Sequence, residues 1–394
     1  MRGLALEGGG ARGAYHIGVV KALYEEGYVF DGFVGTSIGA INAAVLASGD
    51  LDKAMEVWAR VSIEQIFNED EWPLIQLADA RNFREDANLL SAARRKAIRR
   101  VFDNRGICTE KMKAFLGQYI DEGRIRNSGK DFGFATVSLS ERKPRELMKE
   151  DVADGQLFDF IMASAALPIF RQNAINESIY IDGAFYNNCP YNLLLDRGYD
   201  EVVVVRTNSF GIFRKPRDGR VRCISPADDL GSTLHFSQEN SENLLKIGYY
   251  DGLRFAKGLQ GRKYYVKRDK DKDFGNWLMQ LDTDTIAMMA DALKLPGYPS
   301  RRLLFERIVP ILYSHLKLDK NVDYNDFAVA LLEMAAKDRG IERFSMYEFG
   351  ELREQIAQAP RGLGEKKPLL ALPATPFSYN REKAAEILLE AVLR

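Results

Sequence analysis

The segment Gly35-Thr36-Ser37-Ile38-Gly39 lies between a short apolar run and a helical stretch, and it restricts the possible folds more than any other five residues of the chain. A G-x-S-x-G sequence in that setting can turn a strand into a helix and carry the serine on the turn, with its hydroxyl exposed at the sheet edge. Gly35 and Gly39 suit a crossing where strand and helix pass too closely for a Cβ at either position. Alone, the pentapeptide is equally compatible with an ordinary glycine turn. Its meaning depends on what else the chain brings to the same place.

The surrounding pattern alternates strands with helices. Residues 3–6 read as a short buried strand that ends at Gly8-Gly9-Gly10-Ala11-Arg12-Gly13. A helix follows to about Glu26, with Ala14, Ile17, Val20 and Tyr24 on one face and Gly27 as its stop. A second strand near 31–35 reaches Ser37, the next helix ends at Gly49, and Asp50 caps a third that carries Met55 and Trp58. Further strands are expected at 132–139, 178–181 and 201–206, separated by helical segments near 155–165 and 189–197. This alternation predicts an α/β fold with a mostly parallel sheet covered by helices on both faces. Ligands of such sheets bind outside the carboxyl ends of the strands.

With 394 residues the chain exceeds what one core usually holds, so a second region is expected. After about residue 270 apolar helical patterns recur at 276–293, 300–317, 324–337, 346–357 and 380–393, with little strand signal. The expected organisation is an α/β domain over 1–269 and a helical region over 270–394 packed on it. Pro360, Pro368, Pro373 and Pro376 mark 358–378 as an extended connector. A net charge of −1, from 55 basic and 56 acidic residues, gives no sign of a nucleic-acid partner. Cys108, Cys189 and Cys223 are too scattered for a disulfide framework or a zinc knuckle. The N-terminus shows no signal-peptide core, and no run of about 18 apolar residues predicts a spanning helix. The expected location is the cytoplasm, with a membrane surface as a place of work.

The glycine loop 8–13 formally matches G-x-G-x-x-G, so a nucleotide reading is one alternative. A dinucleotide site wants an acidic residue at the end of the second strand, but Asp31 precedes that strand and Gly35-Thr36-Ser37 occupies its end. No Lys-Ser or Lys-Thr follows the glycines either. The loop can instead form an oxyanion hole, since the backbone amides of Gly8, Gly9, Gly10, Ala11, Arg12 and Gly13 crowd near a helix N-terminus. Arg12 can add to that field, pair with a carboxylate, or simply be solvated.

A nucleophilic serine needs a base. Of the three histidines, His16 lies in the first helix and is expected to be exposed, His235 sits in a polar stretch without a strand-end setting, and His315 lies in a C-terminal helix. None suits a Ser-His-Asp triad. Asp182-Gly183-Ala184 directly follows the strand end Ile179-Tyr180-Ile181. In a parallel sheet Ser37 and Asp182 then share the carboxyl edge, where the carboxylate can accept the serine proton.

These residues together resemble the patatin-like phospholipase family. The resemblance is carried by Glu7-Gly8-Gly9-Gly10-Ala11-Arg12-Gly13, by Gly35-Thr36-Ser37-Ile38-Gly39 and by Asp182-Gly183-Ala184. Ala163-Ser164-Ala165-Ala166-Leu167-Pro168 and Asn187-Asn188-Cys189-Pro190 support it. It covers about residues 3–206 and implies a three-layer α/β/α domain, a Ser37–Asp182 dyad and hydrolysis of acyl lipids without metal or organic cofactor. A catalytically silent lipid-binding or regulatory module is the other reading of the same cleft. The basic segment 94–100 can meet anionic headgroups or form a solvated helix face. The run 368–373 can be a lid, an acyl-chain groove or a strap on the core.

Overall fold

Seven strands lie along the main path of one mixed sheet, and an eighth pairs beside them. In chain order they are β1 (Arg2–Leu6), β2 (Gly32–Thr36), β3 (Asp131–Ser138), β4 (Lys143–Met148), β5 (Ala174–Ile175), β6 (Ser178–Asp182), β7 (Glu201–Val205) and β8 (Val221–Ile224). The path runs β5-β6-β3-β2-β1-β7-β8, with β4 also on β3. This computed structural model describes residues 1–72, 75, 106–171, 174–269, 273–319, 322–360, 362 and 376–394; the segments 94–100 and 368–373 lie outside the described residues.

The centre is parallel: β1 pairs with β2 and β7, β2 with β3, and β7 with β8. The run Val202, Val203, Val204 and Val205 is fully buried, as expected of a strand covered on both faces. Connections are helical. Helix α1 (Gly13–Glu25) follows β1, α2 (Ile38–Ala47) follows β2, and α3 (Leu51–Arg60) starts where the Asp50 carboxylate accepts the Lys53 N–H at 3.0 Å. The chain divides into two compact units, Met1–Ala256 and Lys257–Arg394. That division precedes the expected 269/270 boundary because Tyr265–Val266 pairs in parallel with Met346–Tyr347, a second small sheet inside the C-terminal unit.

One departure from the expected topology governs the site. Strand β3 receives β4 along residues 133–138, β2 along 131–135 and β6 along 136–138. Because β4 overlaps the registers of both others, β2 and β6 must share the opposite edge of β3. They run in opposite senses, β2 parallel and β6 antiparallel to β3, and their carboxyl ends meet head to head. Thr36 stands beside Ala135 and Asp182 beside Thr136, successive residues of β3. One residue step is roughly 3.3 Å.

Helix α2 leaves this junction at very short range. A Cβ on Gly39 would lie 2.2 Å from the Leu6 carbonyl oxygen, and one on Gly35 would lie 2.2 Å from the Gly39 carbonyl carbon. Helix α1 is buried on nearly all sides, from Gly13 through Val20. The long helix Gln238–Lys257, which the sequence pattern did not announce, approaches its backbone through Gly248, where a Cβ would meet the Tyr15 carbonyl oxygen at 2.1 Å.

The C-terminal unit is helical, as expected, with shorter pieces. The pattern over 276–293 splits into Phe274–Gln280 and Thr283–Ala292, because Asp282 accepts the Thr285 N–H at 2.7 Å and begins a new helix. The pattern over 300–317 contains a π-helical turn, Leu304–Ile308, before Pro310. Proline lacks the N–H for an i→i−4 bond and its ring crowds the carbonyl four residues back, so the ladder is locally redrawn. Phe327, Leu331, Leu304, Leu312 and Leu388 are among the buried side chains of this unit's core.

The close crossing of α2 is open to test. Gly39→Ala is expected to lower stability by about 1–3 kcal/mol or more through overpacking. Gly219→Ala, where a Cβ meets nothing within 4 Å, is expected to be nearly neutral. Denaturant midpoints of the two variants measure the contrast.

Candidate active site

Ser37 occupies the turn between β2 and α2 at φ 56°, ψ −128°, a conformation that L-residues rarely adopt. Such strain persists only where surrounding contacts over-determine the backbone. Here they do: the Ser37 N–H donates to Ser164 Oγ at 3.0 Å, and that hydroxyl donates to the Ala135 carbonyl at 2.7 Å. Thr36 Oγ1 donates to the Asn187 carbonyl at 2.8 Å, fixing the last residue of β2 to the loop after Asp182. Ser37 also stands at the N-terminus of α2, where the helix dipole contributes positive potential.

Asp182 closes β6. Its N–H donates to the Ala166 carbonyl at 2.9 Å, and its Oδ1 accepts the Ala184 N–H at 2.8 Å. Gly183 is required there, because a Cβ would lie 2.2 Å from the Ala135 carbonyl oxygen. The carboxyl is buried, and Oδ2 has no hydrogen-bond partner among the described residues. Burial pushes its pKa from 3.8 up to about 6; the Ala184 N–H and then the Ser37 hydroxyl oppose that shift. The Ser37 hydroxyl is thus close enough to act on the Asp182 carboxyl, although Oδ2 accepts no hydrogen bond among the described residues.

The glycine loop adjoins the pair, for a Cβ on Gly8 would come within 3.3 Å of Ser37 Cβ. Not all six amides expected to form an oxyanion hole are available. The Gly8 N–H donates to the Asn188 carbonyl at 3.0 Å, Ala11 to Thr233 at 2.8 Å, Arg12 to Gly9 at 3.2 Å, and Gly13 to Gly10. Gly9 and Gly10 keep amides with no acceptor among the described residues. Arg12 does not stand free; its guanidinium donates to the backbone carbonyls of Thr207, Asn208 and Gly231, tying two loops to the start of α1.

Several positioning groups were not singled out by sequence. Glu7 is fully buried, accepts from the Thr207 and Asn208 N–H groups at 2.7 and 2.9 Å, and pairs with Arg206 at 2.9 Å. Thr207 and Ser209 hydroxyls both donate to the Gly8 carbonyl. Glu7 stands in the glycine-loop motif without a role of its own there, and Arg206, Thr207, Asn208 and Ser209 carried no sequence signal.

Among the described residues no hydrogen bond joins His16 or His235 to Ser37. His16, expected to be exposed, is fully buried because α1 is enclosed along Gly13 to Val20; desolvation pulls its pKa down to about 3. Its Nδ1 lies 3.3 Å from Asn42 Nδ2 and its Nε2 has no partner, so it makes no bond to Ser37. His235 is exposed, and His315 belongs to the C-terminal unit. No helix among the described residues is long and apolar enough to cross a membrane.

Residues 4–195 match the family model of patatin-like phospholipases. An uncharacterized NTE family protein of Mycobacterium tuberculosis is 51% identical over 57 residues, 14% of this chain and 16% of that protein. Lysophospholipase NTE1 of Kluyveromyces lactis is 26% identical over 216 residues, 52% of this chain and 12% of that protein. The chain thus corresponds to a minor part of each of these relatives. The crystal structure of VipD from Legionella pneumophila aligns over 90% of this chain and 82% of its own at 13% identity, with a TM-score of 0.41.

The buried carboxyl has a thermodynamic signature. A carboxyl whose pKa is higher folded than unfolded binds its proton more tightly in the native state, so its contribution to stability is lost as pH rises from about 4 through about 6. Asp182→Asn keeps the shape and the Ala184 N–H acceptor without the charge. It is expected to be more stable than the parent at pH 8 by up to about 3 kcal/mol, with the gain vanishing at pH 4. A difference in urea midpoints that does not change with pH would contradict the raised pKa.

Proposed function

We propose that this chain, which carries a patatin-like phospholipase domain over residues 4–195, is a serine hydrolase of acyl lipids with Ser37 as nucleophile and Asp182 as base. The observation that carries the proposal is the head-to-head meeting of β2 and β6. It supports a strained, largely buried serine beside a buried carboxylate whose Oδ2 lacks a partner among the described residues and whose pKa is raised to about 6. A base poised near neutral pH, with one oxygen uncommitted, suits proton abstraction from a hydroxyl.

In this reading Ser37 Oγ attacks the acyl carbonyl carbon while Asp182 Oδ2 takes its proton. The oxyanion is met by the free amides of Gly9 and Gly10, assisted by the N-terminus of α2. Collapse of the tetrahedral adduct breaks the ester C–O bond, and the proton on Asp182 passes to the leaving alkoxide. Water, deprotonated by Asp182, then attacks the acyl-serine carbonyl; the bond from that carbon to Ser37 Oγ breaks, Oγ takes the proton back from Asp182, and the carboxylic acid is released. A lysophospholipid is the substrate class suggested by the name of the yeast relative.

Exposed apolar side chains of the unit Met1–Ala256 support work at a lipid surface. Among the described residues of that unit, exposed Met1 and Val29 lie at the amino edge of the sheet, Leu139 and Ile179 lie by the carboxyl end of β3, and Phe185, Phe210 and Ile212 follow β6 and β7. Phe210 is 83% exposed and its ring lies 6.2 Å from that of Phe185. Lys215 and Arg217 follow in the same loop and can meet anionic headgroups.

Ser37→Ala and Asp182→Asn are each expected to lower hydrolysis of a short acyl ester by at least roughly 10³-fold. His235→Ala and His315→Ala are expected to stay close to the parent. The parent's kcat/KM is expected to fall below pH about 6 as Asp182 takes up a proton. A fully active Ser37→Ala enzyme would overturn the assignment. The surface reading has its own test: the Phe210→Ser, Ile212→Ser double variant is expected to lose hydrolysis of anionic phospholipid vesicles and to keep hydrolysis of a water-soluble short-chain ester. Equal losses on both substrates would count against it.

A further inference from the structure

Within the unit Lys257–Arg394 lies a cavity of about 240 Å³ that the reaction above does not use. One wall is flat and rigid: the rings of Phe274 and Trp277 stack at 4.7 Å between centroids and 12° between planes. Phe349, Ala328 and Val392 add apolar surface. Most of the polar groups at its rim are already committed to the fold. Asp273 caps its own helix, accepting from the N–H and side-chain amide of Asn276 at 3.0 and 2.8 Å. Gln260 donates to Asp326 at 2.8 Å, Asn325 accepts the Phe274 N–H at 2.9 Å, and Asp269 also has a partner. Arg353 alone of the charged lining groups makes no hydrogen bond or ion pair with any described residue.

We propose that this cavity binds a slender amphiphile with an anionic head, placing the head on Arg353 and the apolar chain along the Phe274–Trp277 stack. An unpaired guanidinium presents a fork of donors that matches a carboxylate or a phosphate. The apolar wall disfavours a fully polar anion such as inorganic phosphate. The volume lies below the roughly 300–1,000 Å³ of sites for drug-sized molecules, which favours a single chain over a fused ring system. Two sources share this chemistry, a fatty acid and a single-chain phosphate lipid. The site does not depend on the catalytic assignment, and an inactive Ser37→Ala chain is expected to retain it.

The test is calorimetric titration of the full-length Ser37→Ala protein with decanoate, decyl phosphate and the uncharged 1-decanol. Saturable one-to-one binding of decanoate or decyl phosphate is expected, with 1-decanol much weaker; which anion binds tighter identifies the source. Arg353→Gln is expected to weaken the preferred anion about ten- to a hundredfold. Arg353→Lys is expected to restore part of the loss. Because Arg353 holds no partner among the described residues, Arg353→Gln is expected to keep the parent's thermal midpoint, which separates a binding loss from unfolding. Absence of saturable binding, binding as tight for 1-decanol as for the anions, or anion binding unchanged by Arg353→Gln would each overturn the proposal.

Discussion

The candidate site depends on a shared edge of β3. Two strands that arrive from opposite directions use that edge in turn, β2 up to Ala135 and β6 down to Thr136. The termini of both strands are thereby fixed by one continuous ladder of backbone hydrogen bonds, which defines position far better than two independent loops would. Thr36 and Asp182 hold adjacent register positions, and the next residues, Ser37 and Gly183, turn away at once. Gly183 has to be small because it leaves the ladder against the Ala135 carbonyl, and Ser164 ties Ser37 to the same carbonyl. Ala135 O is thus a common reference point for both halves of the pair.

Two buried carboxylates beside the glycine loop show how differently burial can be handled. Glu7 receives two backbone N–H groups and an arginine, and it holds the loop after β7 in place. A charge so surrounded is compensated where it lies. Asp182 receives one N–H on Oδ1 and leaves Oδ2 bare. Its charge is disfavoured by the surroundings, and that imbalance makes the oxygen a better proton acceptor. The strained φ of Ser37 is a second local cost at the same junction. Both departures from local rules fall where the chemistry is proposed.

Much of this was legible in the chain itself. Strand–glycine–helix punctuation locates β1, β2, α1 and α2 within a residue or two, because close crossings can be made only by glycine. The Val202 to Val205 run announces a doubly covered strand, and Asp182-Gly183 announces a strand end. The direction of β6 was not legible, since pairing sense depends on how the chain returns through β4, the helix Leu157–Ser164 and β5. A parallel premise placed Asp182 on the right edge although the strand runs the other way. Which loop amides are free was equally hidden, because their acceptors, Asn188 and Thr233, lie more than 170 residues away in sequence. The burial of His16 was not legible either, because its ring meets Asn42 of α2, a contact between helices that no local pattern reveals.

The contrast between His16 and Asp182 explains why an aspartate can hold the position in which serine hydrolases usually place a histidine. Desolvation acts on both, and it always favours the neutral form. For an imidazole, neutrality means losing a proton, so burial drives His16 to about 3 and leaves it a poor base at neutral pH. For a carboxyl, neutrality means gaining one, so the same burial lifts Asp182 to about 6. That value falls in the range an unperturbed histidine occupies. A dry junction therefore weakens a histidine as a base and strengthens an aspartate. Given how tightly α2, β6 and the glycine loop close around Ser37, a carboxylate is the side chain whose basicity that enclosure improves.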